Sequence, residues 1–305
     1  LCANQIDRSV GKIVYTQMCN DRGTIECDMT IGRLAADTFL IVVGTAFGLR
    51  TSCWISSQLP VDGSVSFKEV TSAYAVINVI GPKSRALLQK TTLADLSNQD
   101  FPFGTCRPFT VGYAPVIGFR VTYVGELGYE LYIPTEFAGH VYETLWETGQ
   151  DLGIKNAGYR TIASMHLEKG YADWGSELTP EYTPFDAGLG FCVALDKADF
   201  IGKEALTKIK AQGPRWVLRS FTIDAGRPLM LQGSAPILQG GEVVGVTTSS
   251  GYGHSIGKNI CYGYLPAEMN DVVDGYEIES YQTVYPAQLE ANRQLYDPQR
   301  KRILA

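Results

Sequence analysis

Apolar and polar positions alternate most regularly over residues 122–132, which read TYVGELGYELY. Because β-branched and aromatic residues flank a turn bracketed by Gly125 and Gly128, the pattern predicts a strand, a tight turn and a second strand. In the second strand, alternation directs Glu130 and Tyr132 to one face. It directs to the other face the side chains of Tyr129, Leu131 and Ile133. The pattern therefore predicts a carboxylate among aromatic side chains.

Three environments suit such a carboxylate. Burial of Glu130 without a partner is costly, so either an internal cation pairs with it or a ligand donates hydrogen bonds to it. A flat heterocycle with a cyclic guanidine edge, such as a pterin, offers two parallel N–H donors to a carboxylate. The third environment is a surface hairpin on which the glutamate is solvated, and the alternation alone leaves all three open.

Strand and helix patterns alternate along the first two thirds of the chain. The runs 12–18 and 26–31 are strand-like on either side of a turn at 20–23, and the apolar run 39–43 is typical of a buried strand. Further strands are predicted over 70–80 and 109–123. Helices are predicted over 49–59, 84–90, 137–152, 161–169 and 200–209. A long polar and aromatic loop after Gly170 is expected to lead into a strand near residue 195.

The pattern changes at Gly213-Pro214, which is the strongest linker signal in the chain. Beyond it, short strands recur with glycine turns, over 217–223, 242–248, 259–265, 276–278 and 284–289. This spacing predicts a small all-β barrel or sandwich. The expected fold class is therefore α+β, with a core over residues 1–212 and a C-terminal all-β barrel over residues 213–305.

Composition narrows the possible partners. The 305 residues carry a formal net charge of −6, so there is no basic field to attract nucleic acid or an anionic membrane. The seven cysteines are scattered and form no CxxC pair, which favours reduced thiols of an intracellular protein over a disulfide framework or a zinc site. No metal site is expected.

Several catalytic motifs are absent from the sequence. It contains no GxGxxG after a strand, no GxxxxGK[ST] phosphate loop and no HExxH. Two predicted hairpins instead carry carboxylates and tyrosines. If these hairpins face each other, Tyr15 and Tyr123 supply aromatic faces, Glu130 an acceptor, and Asp28 a carboxylate near a reacting atom.

The same segments resemble a known family. The motifs are KIVYTQMCNDRGTIECDMTIGRL, TYVGELGYELYIPTEFAGHVYETLWE, NAGYR, HLEKGY, WGSELTPEYTPFDAGLGF and DFIGKEAL. As a set they resemble the folate-binding module of dimethylglycine and sarcosine dehydrogenases, which is similar in turn to the glycine cleavage T protein, an aminomethyltransferase. The similarity runs from Leu1 to the terminal YDPQRKRILA. It implies a multi-part folate-binding aminomethyltransferase-like fold with a C-terminal β-barrel.

The resemblance also implies roles for individual residues. Asp28 matches the active-site aspartate near N5 and N10 of tetrahydrofolate, and Glu130 matches the glutamate that holds the pterin edge. Tyr15 and Tyr123 match tyrosines that line the folate pocket. His166, a folate-binding candidate, stands where relatives often have an arginine. If that arginine contacts the folate or Asp28, a neutral histidine would weaken the contact, and if it only packs, little changes. Thr24 replaces a glycine in the turn before Asp28, which removes some freedom at positive φ.

The implied activity is the capture of a one-carbon unit from an oxidised N-methyl amine as 5,10-methylenetetrahydrofolate. FAD would belong to a separate N-terminal flavin-containing module or chain, and we expect such a segment also to complete the fold. The expected location is intracellular: the mitochondrial matrix in a eukaryote or the cytoplasm in a bacterium. Lys169 and Arg160 could meet a polyglutamate tail, although an ordinary solvated surface is favoured.

Two alternatives remain. A regulatory subunit of pyruvate dehydrogenase phosphatase resembles the same family, and this implies a non-catalytic folate-binding or regulatory module. A folate-dependent demethylase that acts alone on a methylated small molecule would need a complete N-terminal segment. The enzyme is favoured over the regulator because a regulator has no need to keep all four of the residues Tyr15, Asp28, Tyr123 and Glu130.

Overall fold

The computed structural model describes residues 1–229, 231 and 233–305. Its α-helices are α1 (Gly48–Ser57), α2 (Ser84–Gln89), α3 (Ala138–Thr148), α4 (Tyr159–Lys169) and α5 (Lys203–Gln212). Its strands are β1 (Ile13–Cys19), β2 (Ile25–Arg33), β3 (Phe39–Val42), β4 (Tyr74–Ile80), β5 (Cys106–Val111), β6 (Ala114–Phe119), β7 (Gly128–Pro134), β8 (Trp216–Ile223), β9 (Pro236–Gln239), β10 (Glu242–Gly253), β11 (Lys258–Pro266), β12 (Tyr276–Ser280) and β13 (Thr283–Leu289). No helix in this described part of the chain is long and apolar enough to cross a bilayer.

These elements form two compact units, each assembled from separate stretches of sequence. The first unit contains Leu1–Gln5, Thr16–Asp28 and Gly158–Pro298. The second unit contains Ile6–Tyr15, Met29–Ala157 and Gln299–Ala305. The division predicted at Gly213 stays a prediction.

A four-stranded antiparallel sheet in the order β4-β7-β6-β5 forms the centre of the second unit. One face of the sheet packs against α2 and α3 in a core that includes Tyr129, Leu131 and Ile133. The other face carries Tyr132, which clusters with Cys106 and Phe119. The predicted alternation of apolar and polar side chains along β7 is therefore confirmed.

The predicted hairpin around residues 122–132 is only half right. β7 begins at Gly128, but residues 120–127 form a loop, and the preceding strand β6 ends at Phe119. The first predicted arm is therefore not a strand. The predicted strand over 109–123 is likewise two strands, β5 and β6, joined by a turn at Gly112 and Tyr113.

A second, three-stranded sheet has the order β1-β2-β3. The apolar run 39–43 was expected to be a buried strand, but β3 is an edge strand with all four residues half-buried. Within the second unit, Gly32 of β2 lies close to the ring of Phe119, because a Cβ atom on Gly32 would be 2.3 Å from that ring. Such an approach requires a residue without a side chain.

The first unit contains a closed six-stranded barrel in the order β10-β11-β8-β13-β12-β9, so the predicted C-terminal barrel is confirmed. Strand β9 had no sequence prediction and pairs with both β10 and β12. The interior is apolar and includes Phe221, Ile237, Cys261 and Ile278. Within the described residues, no strand lies between the long loop after Gly170 and helix α5, although one was expected there. Residues Gly190–Cys192 instead form a single 3-10 turn.

The end of α4 is tied to the segment that follows the barrel. Lys169 is completely buried, and its Nζ lies 3.3 Å from Asp297 Oδ2 and 2.6 Å from the Asp297 carbonyl oxygen. The guanidinium of Arg293 donates to the carbonyl oxygens of Gly170 and Ala187. Lys169 is therefore an interior cation in a buried ion pair, and its expected surface position is wrong.

Candidate functional site

Glu130 lies in β7, between β4 and β6. The strand register places it beside Asn78 of β4 and Phe119 of β6, so these three side chains share one face of the sheet. Glu130 is half-buried, and its Oε2 accepts a hydrogen bond of 2.7 Å from the Tyr132 hydroxyl. Among the described residues, the hydrogen-bond partner of Glu130 is Tyr132, and neither Tyr15 nor Tyr123 takes part in this contact. A carboxylate has about four acceptor positions, so Glu130 can accept further N–H donors.

The environment of Glu130 disfavours its charge. Burial raises the pKa of the Glu130 carboxyl, and the hydrogen bond from Tyr132 partly opposes that shift. Burial and the neighbouring Glu130 charge raise the pKa of Tyr132, so the hydroxyl keeps its proton and acts as donor. A ligand that donated further hydrogen bonds to Glu130 would favour its ionised form.

The two predicted tyrosines also belong to the second unit. Tyr15 lies in β1, and Tyr123 lies in the loop between β6 and β7. Both side chains are half-buried. A tyrosine in such a position presents an apolar ring together with a polar hydroxyl. Their predicted contact with folate stays a prediction.

Asp28 lies in β2, within the first unit, and is half-buried. Its Oδ1 accepts a hydrogen bond of 2.8 Å from Nε2 of Gln17 in β1, a side chain with no exposed surface. The thiol of Cys192 is also close. Its pKa is raised by burial and by the negative charge of Asp28, and a hydrogen bond from Gln17 opposes the rise. Asp28 therefore sits in a polar cluster, here called the Asp28 cluster, made of Asp28, Gln17 and Cys192.

The turn between β1 and β2 tolerates Thr24. The residue with positive φ is Gly23, at +80°, whereas Thr24 lies outside the left-handed region. The Thr24 hydroxyl accepts a hydrogen bond of 2.7 Å from Nδ2 of Asn20. The loss of backbone freedom expected at Thr24 therefore does not strain the turn that precedes Asp28.

His166 lies in the last turn of α4, in the first unit, and is buried. Its Nδ1 is 3.1 Å from the carbonyl oxygen of Tyr171, so Nδ1 carries the proton that this acceptor requires. This hydrogen bond joins the end of α4 to the chain that leaves it. The predicted role of His166 in folate binding stays a prediction.

Three neighbours of the candidate carboxylates had no role predicted from the sequence. Gln17 bonds to Asp28, Tyr132 bonds to Glu130, and Asn78 lies beside Glu130. Only Tyr132 had a usable signal, because it follows Glu130 by two residues in a strand and must share its face. Gln17 and Asn78 are brought in by strand pairing, which the local pattern does not encode.

The chain matches two known domain families. Residues 1–197 match the GCVT N-terminal domain, and residues 217–297 match the glycine cleavage T-protein C-terminal barrel domain. A crystal structure of the glycine cleavage system aminomethyltransferase T from Bartonella henselae has a TM-score of 0.80 at 22% identity. The alignment covers 94% of this chain and 78% of that one, so the two share a fold.

Curated relatives are similar over most of the chain. Mitochondrial dimethylglycine dehydrogenase of Rattus norvegicus is 35% identical over 289 residues, which is 94% of this chain and 34% of that protein. Aminomethyltransferase of Halothermothrix orenii is 35% identical over 261 residues, covering 84% of this chain and 70% of that protein. The mitochondrial pyruvate dehydrogenase phosphatase regulatory subunit of Mus musculus is 36% identical over 272 residues, covering 87% and 31%. The chain thus spans about a third of the length of the dehydrogenase and of the regulatory subunit.

Proposed function

Because the chain belongs to the glycine cleavage T-protein family, we propose that it carries out tetrahydrofolate-dependent one-carbon transfer. The finer proposal is the capture of the methylene unit of an oxidised N-methyl amine, of the dimethylglycine or sarcosine type, as 5,10-methylenetetrahydrofolate. Its support is the 35% identity to a dimethylglycine dehydrogenase over 94% of the chain. The flavin that oxidises such an amine would then belong to another module or chain.

The observation that carries the proposal is the state of Glu130. This carboxylate is half-buried, and burial raises its pKa. Among the described residues, its hydrogen-bond donor is the Tyr132 hydroxyl. Such a group fits a ligand with adjacent N–H donors, because their hydrogen bonds would offset the cost of its partial burial. The edge of a pterin has this donor pattern. Tyr15, Tyr123 and His166 are also proposed as folate-binding residues.

Asp28 is proposed as the catalytic carboxylate. Tetrahydrofolate supplies the two nitrogen atoms, N5 and N10, that take up the one-carbon unit. The Asp28 carboxylate would stabilise positive charge that develops near it, and it would accept the proton that N10 loses. Neither role requires a covalent nucleophile. A carboxylate must be ionised for both, and the hydrogen bond from Gln17 favours that form.

A second candidate function is regulatory, because the regulatory subunit of pyruvate dehydrogenase phosphatase is 36% identical over 87% of this chain. A regulator would not need Asp28 for turnover, whereas it could still use Glu130 for binding. The enzyme is favoured because this chain has both carboxylates together with Tyr15 and Tyr123. We propose an intracellular location, either the mitochondrial matrix or the bacterial cytoplasm.

The test is a calorimetric titration of the chain with 5-formyltetrahydrofolate, with Glu130→Ala measured alongside. We expect saturable binding by the parent, and a loss of about 2–5 kcal/mol of binding free energy in the variant, the scale for removing one partner of a buried charged hydrogen bond. Formation of 5,10-methylenetetrahydrofolate from tetrahydrofolate and formaldehyde is then followed above the uncatalysed rate. Binding without transfer would favour the regulatory function, and no binding by the folded parent would contradict both.

A further inference from the structure

Gln17 is a fully buried amide in β1 whose surroundings do not explain it as a packing residue. Its exposed fraction is 0%, and its Nε2 donates to Asp28 Oδ1 at 2.8 Å. Its Oε1 is buried, and no hydrogen-bond partner for that atom exists among the described residues. A buried amide oxygen without a partner is unfavourable, and an apolar side chain of similar volume would avoid the cost. The amide must therefore be useful for what its nitrogen does.

The orientation of this amide follows from its neighbours. A carboxylate has only acceptor atoms, so the Gln17 nitrogen, and not its oxygen, must face Asp28. The Cys192 thiol lies beside the same carboxylate, whose charge raises the pKa of the thiol. The hydrogen bond from Gln17 Nε2 to Asp28 Oδ1, together with the complete burial of the side chain, restricts the orientation of the amide.

We propose that Gln17 is the positioning residue of Asp28: its amide holds the carboxylate in one orientation and keeps it ionised for one-carbon transfer. The inference rests on the proposed function of Asp28. A proton acceptor works when it is within hydrogen-bond reach of the proton and in the correct charge state, and a small misplacement is costly. Because Gln17 is fully buried in a strand, it provides a more rigid support than a residue on a loop would.

Gln17→Glu is the most direct perturbation, because it keeps the shape of the side chain and replaces the donor with an acceptor. Two carboxylates at this distance cannot both ionise, so residues 17 and 28 would share a proton. Two titratable groups of the first unit lie near this point, the Cys192 thiol and Glu26, which is two residues before Asp28 in β2. Asp28 would then lose much of its charge at neutral pH.

The same hairpin offers a matched control. Asn20 Nδ2 donates to Glu26 Oε1 at 2.8 Å, which is also an amide–carboxylate hydrogen bond, but Asp28 is not a partner in it. Asn20→Asp therefore introduces the same chemical change at a position outside the Asp28 cluster. Gln17→Met is the second variant, since it removes the donor without adding a charge. We expect it to fold even if Gln17→Glu does not.

We expect Gln17→Glu and Gln17→Met to lower the rate of one-carbon transfer at saturating substrate about 10- to 100-fold. This loss does not exceed the contribution that a positioned general base makes. The Kd for 5-formyltetrahydrofolate should stay within about twofold of the parent in both, and Asn20→Asp should transfer at the parental rate. A structural role alone would lower affinity and rate together. Parental transfer in both Gln17 variants would overturn the positioning role and leave the proposed function standing.

A stability cycle tests the contact independently of catalysis. Gln17→Glu should lower the thermal unfolding midpoint of the parent, but not that of Asp28→Asn, because an amide at residue 28 can donate to the carboxylate introduced at residue 17. Equal loss in both backgrounds would show that the carboxylates do not interact, which contradicts the inference. If the parent neither binds folate nor transfers, the proposed function fails, whereas this cycle still reports on the Gln17–Asp28 contact.

Discussion

Replacement of Glu130 by glutamine should have opposite effects on stability and on folate affinity. The variant keeps the length of the side chain and an oxygen that can accept the 2.7 Å hydrogen bond from Tyr132. What it removes is the negative charge of a half-buried group in the middle of a sheet. Partial burial makes this charge unfavourable in the folded protein, whereas a ligand with N–H donors requires it.

The stability effect depends on pH, and its sign follows from the raised pKa of Glu130. At pH values below 4.5, its ordinary pKa, both the folded and the unfolded chain hold the proton, so folding buries no charge at this position. As the pH rises above that value, the unfolded chain releases the proton first, so the free energy of unfolding of the parent falls until the folded pKa is passed. Each pKa unit of the shift corresponds to about 1.4 kcal/mol. Glu130→Gln lacks this loss and should be the more stable protein at pH 8.

The effect on affinity is larger in the other direction. A hydrogen bond to a charged group contributes about 1.5–3 kcal/mol, compared with about 0.5–1.5 kcal/mol for a neutral one. An amide oxygen also presents only one of the two acceptor atoms of a carboxylate, and its NH2 group opposes a second donor. We therefore expect the Kd for 5-formyltetrahydrofolate to rise roughly 10- to 100-fold.

Urea unfolding at pH 4 and pH 8, followed by fluorescence, measures the first effect, and calorimetric titration measures the second. Glu143→Gln is the matched control, because Glu143 is exposed on α3 of the same unit and should change neither quantity. Unchanged affinity in Glu130→Gln would refute the binding role of this carboxylate. A stability difference that is the same at both pH values would refute the pKa argument.

Three other substitutions test separate parts of the structure. Asp28→Asn should leave the Kd for 5-formyltetrahydrofolate within about twofold and slow methylene transfer at least about 100-fold, the lower end for a general base; transfer at the parental rate in a coupled assay would show that Asp28 is not catalytic. Lys169→Met removes the buried Nζ that contacts the Asp297 carboxylate and should cost about 3–5 kcal/mol in urea unfolding, whereas Lys208→Met, in an exposed pair, serves as the control. Gly32→Ala places a Cβ atom 2.3 Å from an aromatic ring and should cost about 1–3 kcal/mol of unfolding free energy; an unchanged midpoint would contradict this packing.

Local sequence rules predicted well where one strand or helix face decides the structure. Along β7, alternation separated Glu130 and Tyr132 from the apolar core residues without any knowledge of neighbouring strands. The left-handed glycines after α4 and after α3, Gly170 and Gly153, marked where those helical segments end. The C-terminal strands were recognised because their turns are rich in glycine.

The failures have identifiable causes. The run 39–43 is apolar, yet β3 is only half-buried, because its place at the edge of a sheet depends on its pairing with β2 alone. Residues 122–127 contain strand-forming side chains, but they form a loop because β6 already ends at Phe119. Lys169 has no local sign of burial, and its partner Asp297 is 128 residues away in the chain.

The sequence by itself determined the family, the α+β class with its C-terminal barrel, and the identity of the two candidate carboxylates. These follow from local periodicity and from motifs that stay together along the chain. Only the tertiary structure decided how each carboxylate is supported: Gln17 binds Asp28 across a strand pair, and sheet register places Asn78 beside Glu130. Hydrogen bonds between strands depend on register, and register is a property of the assembled sheet rather than of either strand.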